Sequence, residues 1–134
     1  MLQRVFVYGT LLTGMANHYL IAPYAKKITP AQARGLLYAL PYGYPAMIAG
    51  NGTVYGEVVE LTGGEEAWRV LDDLEDYRGP GCPDNLYERV VQKVCLPGGQ
   101  LISAYVYLWA KPDELPRIGR LLVHGDWRRH VRGS

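Results

Sequence analysis

Four acids crowd five positions in the stretch Leu71-Asp72-Asp73-Leu74-Glu75-Asp76-Tyr77. Residues three and four apart share a helix face, so on a helix Leu71, Leu74 and Glu75 form one stripe that Trp68 extends backwards. An apolar, core-facing stripe therefore ends in a carboxylate. The C-terminal end of a helix disfavours negative charge, and Asp72, Asp73 and Asp76 add like charge beside it. Burial penalises the ionised form in the same direction. All three raise the proton affinity of Glu75, which is what a general base near neutral pH requires. The spacing also suits a second role, in which Glu75 pairs with Arg89 and fastens helix to sheet. Asp72, Asp73 and Asp76 are expected to face solvent.

A second chemical candidate is Tyr8-Gly9-Thr10-Leu11. A strand, a glycine and a turn free backbone N–H groups, and the glycine lets a ligand approach closely. The N–H groups of Gly9, Thr10 and Leu11 could hold a carboxylate or a developing oxyanion. Taken alone, the stretch also fits an ordinary strand end. It is no phosphate loop, since neither the lysine nor the multi-glycine spacing follows. Tyr107 is a candidate to point a hydroxyl into a pocket, or else a packing residue. His18, His124 and His130 have no metal-ligand spacing, and no Ser, Cys or Lys shows a partnered nucleophile pattern. Neither a metal nor a cofactor is expected. Cys82 and Cys95 are spaced for neither a metal site nor a redox pair, and a reduced, cytoplasmic chain is the expectation.

The elements that must position these groups follow from pattern. Arg4 to Tyr8 reads as a strand that stops at Gly9. A short helix is expected near 14–21, with another short segment bracketed by Pro23 and Pro30. Strands are expected at 33–40 and 53–61, with a turn-rich loop at 41–45. Gly56 inside the second strand suggests a bulge or a close backbone approach. A helix runs from Glu65 to about Glu75. Residues 79–83 form a loop, and strands at 86–96 and 100–109 are joined by a hairpin at Pro97-Gly98-Gly99. In the last strand Ile102, Ala104, Val106 and Leu108 alternate with Ser103, Tyr105, Tyr107 and Trp109, an aliphatic face against an aromatic one. A last short helix is expected within 115–123. Many strands and few helices indicate α+β architecture with a curved or closed sheet in one domain spanning residues 1–134.

The 134 residues are 49% hydrophobic with a net charge of +1, which favours a packed core over disorder. Eleven tyrosines against one phenylalanine suit a small pocket lined by hydroxyl-bearing rings. No apolar run approaches the ~18 residues that span a bilayer, and no signal peptide is expected. A near-neutral balance argues against a dedicated nucleic-acid binder. The one basic cluster, Trp127-Arg128-Arg129-His130-Val131-Arg132, is read as a solvated end.

Together these motifs resemble the gamma-glutamylcyclotransferase-like family, in its gamma-glutamylamine cyclotransferase or avirulence-induced-gene-like branch. The resemblance spans nearly the whole chain. It begins with Val5-Phe6-Val7-Tyr8-Gly9-Thr10-Leu11 and Asn17-His18, and continues through Arg34-Gly35-Leu36-Leu37-Tyr38, Tyr44-Pro45-Ala46 and Val54-Tyr55-Gly56-Glu57-Val58. Leu71 to Tyr77 with Leu86-Tyr87-Glu88-Arg89 is the most diagnostic pair. Ala104-Tyr105-Val106-Tyr107 and Gly125-Asp126-Trp127 complete it. Asp76 departs from the family, where a glycine is common, and so does a long insert at Arg78–Asn85.

The resemblance implies a small mixed β-barrel with flanking short helices and a central cavity. It implies that Tyr8, Gly9, Thr10 and Leu11 bind substrate, that Glu75 is the catalytic acid/base, and that Tyr107 lines the cavity. The implied reaction needs no cofactor. A γ-glutamyl amide or amine cyclises to 5-oxoproline and releases its amine. The implied partner is that small molecule, with no nucleic acid and no membrane, on a monomer or homodimer. A non-catalytic barrel of the same fold, holding a small metabolite against Glu75, is the alternative. A nucleic-acid-associated barrel resting on the basic tail would show salt-sensitive binding.

Overall fold

The β-branched run at the N-terminus forms β1 (Arg4–Val7), and its neighbours come from distant parts of the chain. In the computed structural model, which describes residues 2–133, β1 lies between β3 (Pro45–Leu61) and β5 (Leu101–Trp109). It is antiparallel to β3, with Val7 opposite Glu57, and parallel to β5, with Val5 opposite Tyr105. β4 (Tyr87–Cys95) pairs antiparallel with β5, and β2 (Ala25–Ala39) pairs with both β3 and β4. The β2–β3 pairing closes the strand order β3-β1-β5-β4-β2 into a mixed five-stranded barrel, and β6 (Arg120–Leu121) extends it beside β2. The β2–β4 seam has one backbone bridge, Gln32 with Cys95, reinforced by the Gln92 side chain donating to the Arg34 carbonyl at 2.9 Å.

Among the described residues four short α-helices flank the barrel: α1 (His18–Ile21), α2 (Glu65–Leu74), α3 (Leu115–Ile118) and α4 (Trp127–Val131). None is long and apolar enough to cross a membrane. Val5, Phe6, Val54, Val59, Ala104 and Val106 are almost wholly buried. Burying each of the larger ones contributes ~1.5–3 kcal/mol. Gly56 belongs to this packing, since a Cβ there would collide with the Val7 carbonyl oxygen and the Phe6 ring. The close approach expected at Gly56 is therefore present. The irregularities of β2–β3 pairing lie elsewhere, at Ala25/Lys27 and Arg34/Leu36.

Three expectations are corrected. β2 starts at Ala25 and runs straight through Pro30, rather than starting near residue 33. Pro30 pairs with Glu57 on one side, and the β4 seam meets β2 at Gln32, so the missing N–H falls where no ladder needs it. The helix expected within 115–123 is one turn, and Arg120–Leu121 then pairs with Tyr38 and Ala39. The basic tail is a solvated end only in part, at Arg129, Val131 and Arg132. Asp126 caps α4, accepting the Arg129 N–H at 3.3 Å, Trp127 is buried, and Arg128 reaches the barrel wall.

Candidate active site

Helix α2 carries the apolar stripe as expected. Ala67, Trp68 and Leu71 are buried, and Trp68 meets the Tyr105 ring edge-on at 5.0 Å. The helix ends in a reverse turn. Asp76 takes a left-handed conformation (φ 53), Tyr77 N–H donates to the Asp72 carbonyl at 2.9 Å, and Asp76 N–H donates to the Asp73 carbonyl at 3.3 Å. This paired-bond termination usually carries glycine at the left-handed position. Asp76 is one of the few residue types that tolerates it.

The turn places Glu75 in the wall of a cavity of about 330 Å³. Tyr8, Gly9, Thr10, Leu11 and Tyr107 line the same cavity, with Tyr44, Pro45 and Tyr87 among the other walls. Some Glu75 surface stays open, but protein crowds its carboxyl, and burial pushes that group up to about 8. Among the described residues, none donates a hydrogen bond to it. Of the three local effects expected to raise it, burial is the one that acts. Asp73 is exposed, Asp76 pairs with Arg78 at 3.0 Å, and Asp72 is neutralised by Arg89.

Asp72 does not face solvent as expected. It accepts two hydrogen bonds from Arg89 at 2.8 and 2.9 Å and one from the Tyr107 hydroxyl at 2.7 Å. The Arg89 guanidinium in turn lies 4.9 to 5.1 Å from the ring centres of Trp68, Tyr77 and Tyr105. Planar cations favour such aromatic surroundings. Arg89 therefore fastens helix to sheet through Asp72 and leaves Glu75 unpaired.

The loop after β1 presents donors and little else. The carbonyl oxygens of Gly9 and Thr10 accept from Leu12 N–H and Asn17 N–H at 3.1 and 2.8 Å, and the Leu11 carbonyl meets His18 Nδ1 at 2.9 Å. The Asn17 side-chain amide donates to the Thr10 hydroxyl at 2.9 Å. Among the described residues, none accepts from the N–H groups of Gly9, Thr10 or Leu11, although Gly9 and Leu11 are buried. Buried N–H groups are normally paired, so those of Gly9 and Leu11, with the partly buried Thr10 between them, mark a place for an acceptor. Glycine is required here: a Cβ on Gly9 would lie 2.5 Å from the Pro45 ring. Pro45 is held in place, its carbonyl accepting the Tyr87 hydroxyl at 2.7 Å.

The hydroxyls of Tyr8, Tyr87 and Tyr107 are committed to the protein. Tyr8 donates to the Tyr107 carbonyl at 2.5 Å, and Tyr107 donates to Asp72. Burial keeps both phenols protonated well above their ordinary range, helped for Tyr8 by the nearby Glu75 and for Tyr107 by its bond to Asp72. The aromatic rings thus form walls around one unpaired carboxyl and one row of free donors. Tyr87 and Pro45, which appear in the sequence only inside family-like motifs and carry no expected site role there, also stand in the cavity wall.

A family model described as "Gamma-glutamyl cyclotransferase, AIG2-like" matches residues 5–129. Gamma-L-glutamyl-butirosin B gamma-glutamyl cyclotransferase of Niallia circulans is 33% identical over 129 residues, covering 96% of this chain and 78% of that protein. The gamma-glutamylaminecyclotransferase of Bos taurus is 36% identical over 123 residues, covering 81% and 67%. Among solved structures, YkqA of Bacillus subtilis superposes with a TM-score of 0.71 at 26% identity, covering all of this chain and 44% of YkqA. The chain belongs to the gamma-glutamyl cyclotransferase family, in its AIG2-like branch.

Proposed function

We propose that the protein is a γ-glutamyl cyclotransferase that converts a small γ-glutamyl amide or amine to 5-oxoproline and a free amine. One observation carries this reading: a buried carboxyl, that of Glu75, shares a small cavity with three consecutive N–H groups, those of Gly9 and Leu11 buried, and among the described residues neither the carboxyl nor the N–H groups have a partner. The ring closure needs a base and a set of oxyanion or carboxylate donors, and little else.

In the proposed reaction the cavity bends the γ-glutamyl chain until its α-nitrogen meets its γ-carbonyl, a proximity effect. Glu75 takes a proton from the α-ammonium, whose arriving positive charge favours the ionised carboxyl. The freed amine attacks the γ-carbon, forming the lactam C–N bond. The bond from that carbon to the departing nitrogen then breaks. Two protons leave the α-nitrogen in all, and the departing amine ends with both, by way of Glu75. The N–H groups of Gly9, Thr10 and Leu11 receive either the tetrahedral oxyanion or the α-carboxylate. Tyr8 and Tyr107 contribute rings and rigidity, since their hydroxyls are already engaged.

The test is a panel of γ-glutamyl amides and amines assayed for 5-oxoproline. Release of 5-oxoproline from at least one, with steady turnover, is expected. Saturable binding of the panel with no product over long incubation would overturn the reaction and favour a small-metabolite-binding barrel.

A further inference from the structure

Glu57 lies outside the cavity and is not among the residues that line it. Among the described residues it is nonetheless one of two buried polar or charged side chains, with Asn85, and only 8% exposed. A buried carboxylate is costly unless it is fully partnered, and Glu57 is. Its Oε1 accepts the Thr13 N–H at 2.9 Å and the Thr13 hydroxyl at 3.0 Å. Its Oε2 accepts from Arg128 at 3.2 Å, and Arg128 also donates to the Thr13 carbonyl at 2.8 Å. Three remote segments thus meet at one carboxylate: the loop after β1, the middle of β3 and the start of α4.

The location gives this knot a consequence. Glu57 stands opposite Val7, the last residue of β1. The chain leaves β1 at Val7, forms the donor loop Gly9-Thr10-Leu11, and is caught again at Thr13 by the residue that faces Val7. Both ends of the loop are therefore pinned to the same point of β3.

We propose that Glu57, clamped by Arg128, is a positioning residue that sets the direction of the Gly9–Leu11 N–H groups. The effect on turnover rests on the function proposed above. The effect on the loop does not. The C-terminal helix then acts on the site from outside, which gives the Gly125-Asp126-Trp127 motif and Arg128 a task beyond packing.

Backbone amide exchange and kcat/KM test this together in Glu57→Gln, Arg128→Met and Arg128→Lys, at a temperature where each is folded. In Glu57→Gln and Arg128→Met, the protected amides of Leu12, Thr13 and Asn17 should exchange at least tenfold faster, while those of Val5 and Val106 stay within twofold. kcat/KM should fall about tenfold or more, with the acidic limb of its pH profile unmoved because Glu75 is untouched. Arg128→Lys should recover most of both effects. Unchanged loop exchange in a folded variant, or faster exchange with unchanged kcat/KM, would overturn the proposal. If the wild-type protein made no 5-oxoproline, the reaction would fall, and exchange alone would decide the tether. Arg128→Met keeps the test open should Glu57→Gln fail to fold.

Discussion

Asp72 and Glu75 stand one turn apart at the end of the same helix, and the fold gives their carboxyls opposite surroundings. Asp72 accepts from Arg89 and from the Tyr107 hydroxyl, whereas Glu75 is buried against the cavity with no donor among the described residues. In the proposed reaction these surroundings suit Asp72 to hold Arg89 and Glu75 to carry protons. The division depends on Arg89 choosing Asp72. Were it to choose Glu75, the carboxyl would be held ionised and would be a poor base.

The pH dependence follows from the raised Glu75 group. A base must be deprotonated to act, so kcat/KM should climb about tenfold per pH unit below about 8 and level off above it. In the substrate complex the α-ammonium favours the ionised carboxyl, so the limb of kcat should lie at lower pH than that of kcat/KM. Initial rates between pH 5 and 10 check both. A kcat/KM limb near the ordinary glutamate range would contradict the assignment.

Stability should move the other way. The folded protein binds the Glu75 proton more tightly than the unfolded chain does, so this site's contribution declines as pH rises from about 4.5 to about 8. Glu75→Gln removes the penalty. Its melting temperature should match wild type near pH 4.5 and exceed it at pH 8, by on the order of a few kcal/mol in stability. Thermal melts at the two pH values measure the difference, and an equal shift at both would exclude a buried, uncompensated carboxyl.

Arg89→Met should cost ~2–4 kcal/mol, because it leaves the Asp72 carboxylate half-buried without its cation and empties the aromatic cage. Urea unfolding reports the loss. Removing both charges, in Arg89→Met with Asp72→Asn, should recover part of it. A single variant as stable as wild type would show that the pair does not fasten the helix.

Asp76→Gly should raise stability by up to ~1 kcal/mol, since glycine adopts the left-handed turn without strain and the exposed pair with Arg78 is worth little. The activity should hold within about twofold, as Glu75 stays at the helix cap. Destabilisation on this change would mean that the turn draws on the aspartate side chain in some further way.

Much of the site was legible in local pattern. The three-and-four spacing of Trp68, Leu71, Leu74 and Glu75 shows the stripe, and the strand-glycine-turn order shows Gly9. The rest depends on distance along the chain. Asp72 finds Arg89 seventeen residues on and Tyr107 thirty-five on, and no helical period reveals a cation caged by rings from a helix, the turn after it and a strand. The reach of β2 through Pro30 was hidden because an edge position excuses the missing donor, and that depends on which strand lies alongside. Arg128 looked like part of a free tail because its partner Glu57 is seventy-one residues away.

In the proposed reaction Glu75 moves the protons of ring closure. The most direct test compares Glu75→Gln with wild type on the best γ-glutamyl substrate, measuring 5-oxoproline release in a single turnover at saturating protein. The near-isosteric glutamine should keep both fold and binding while the rate falls about 10²- to 10⁴-fold. A variant that releases 5-oxoproline at close to the wild-type rate would contradict the account.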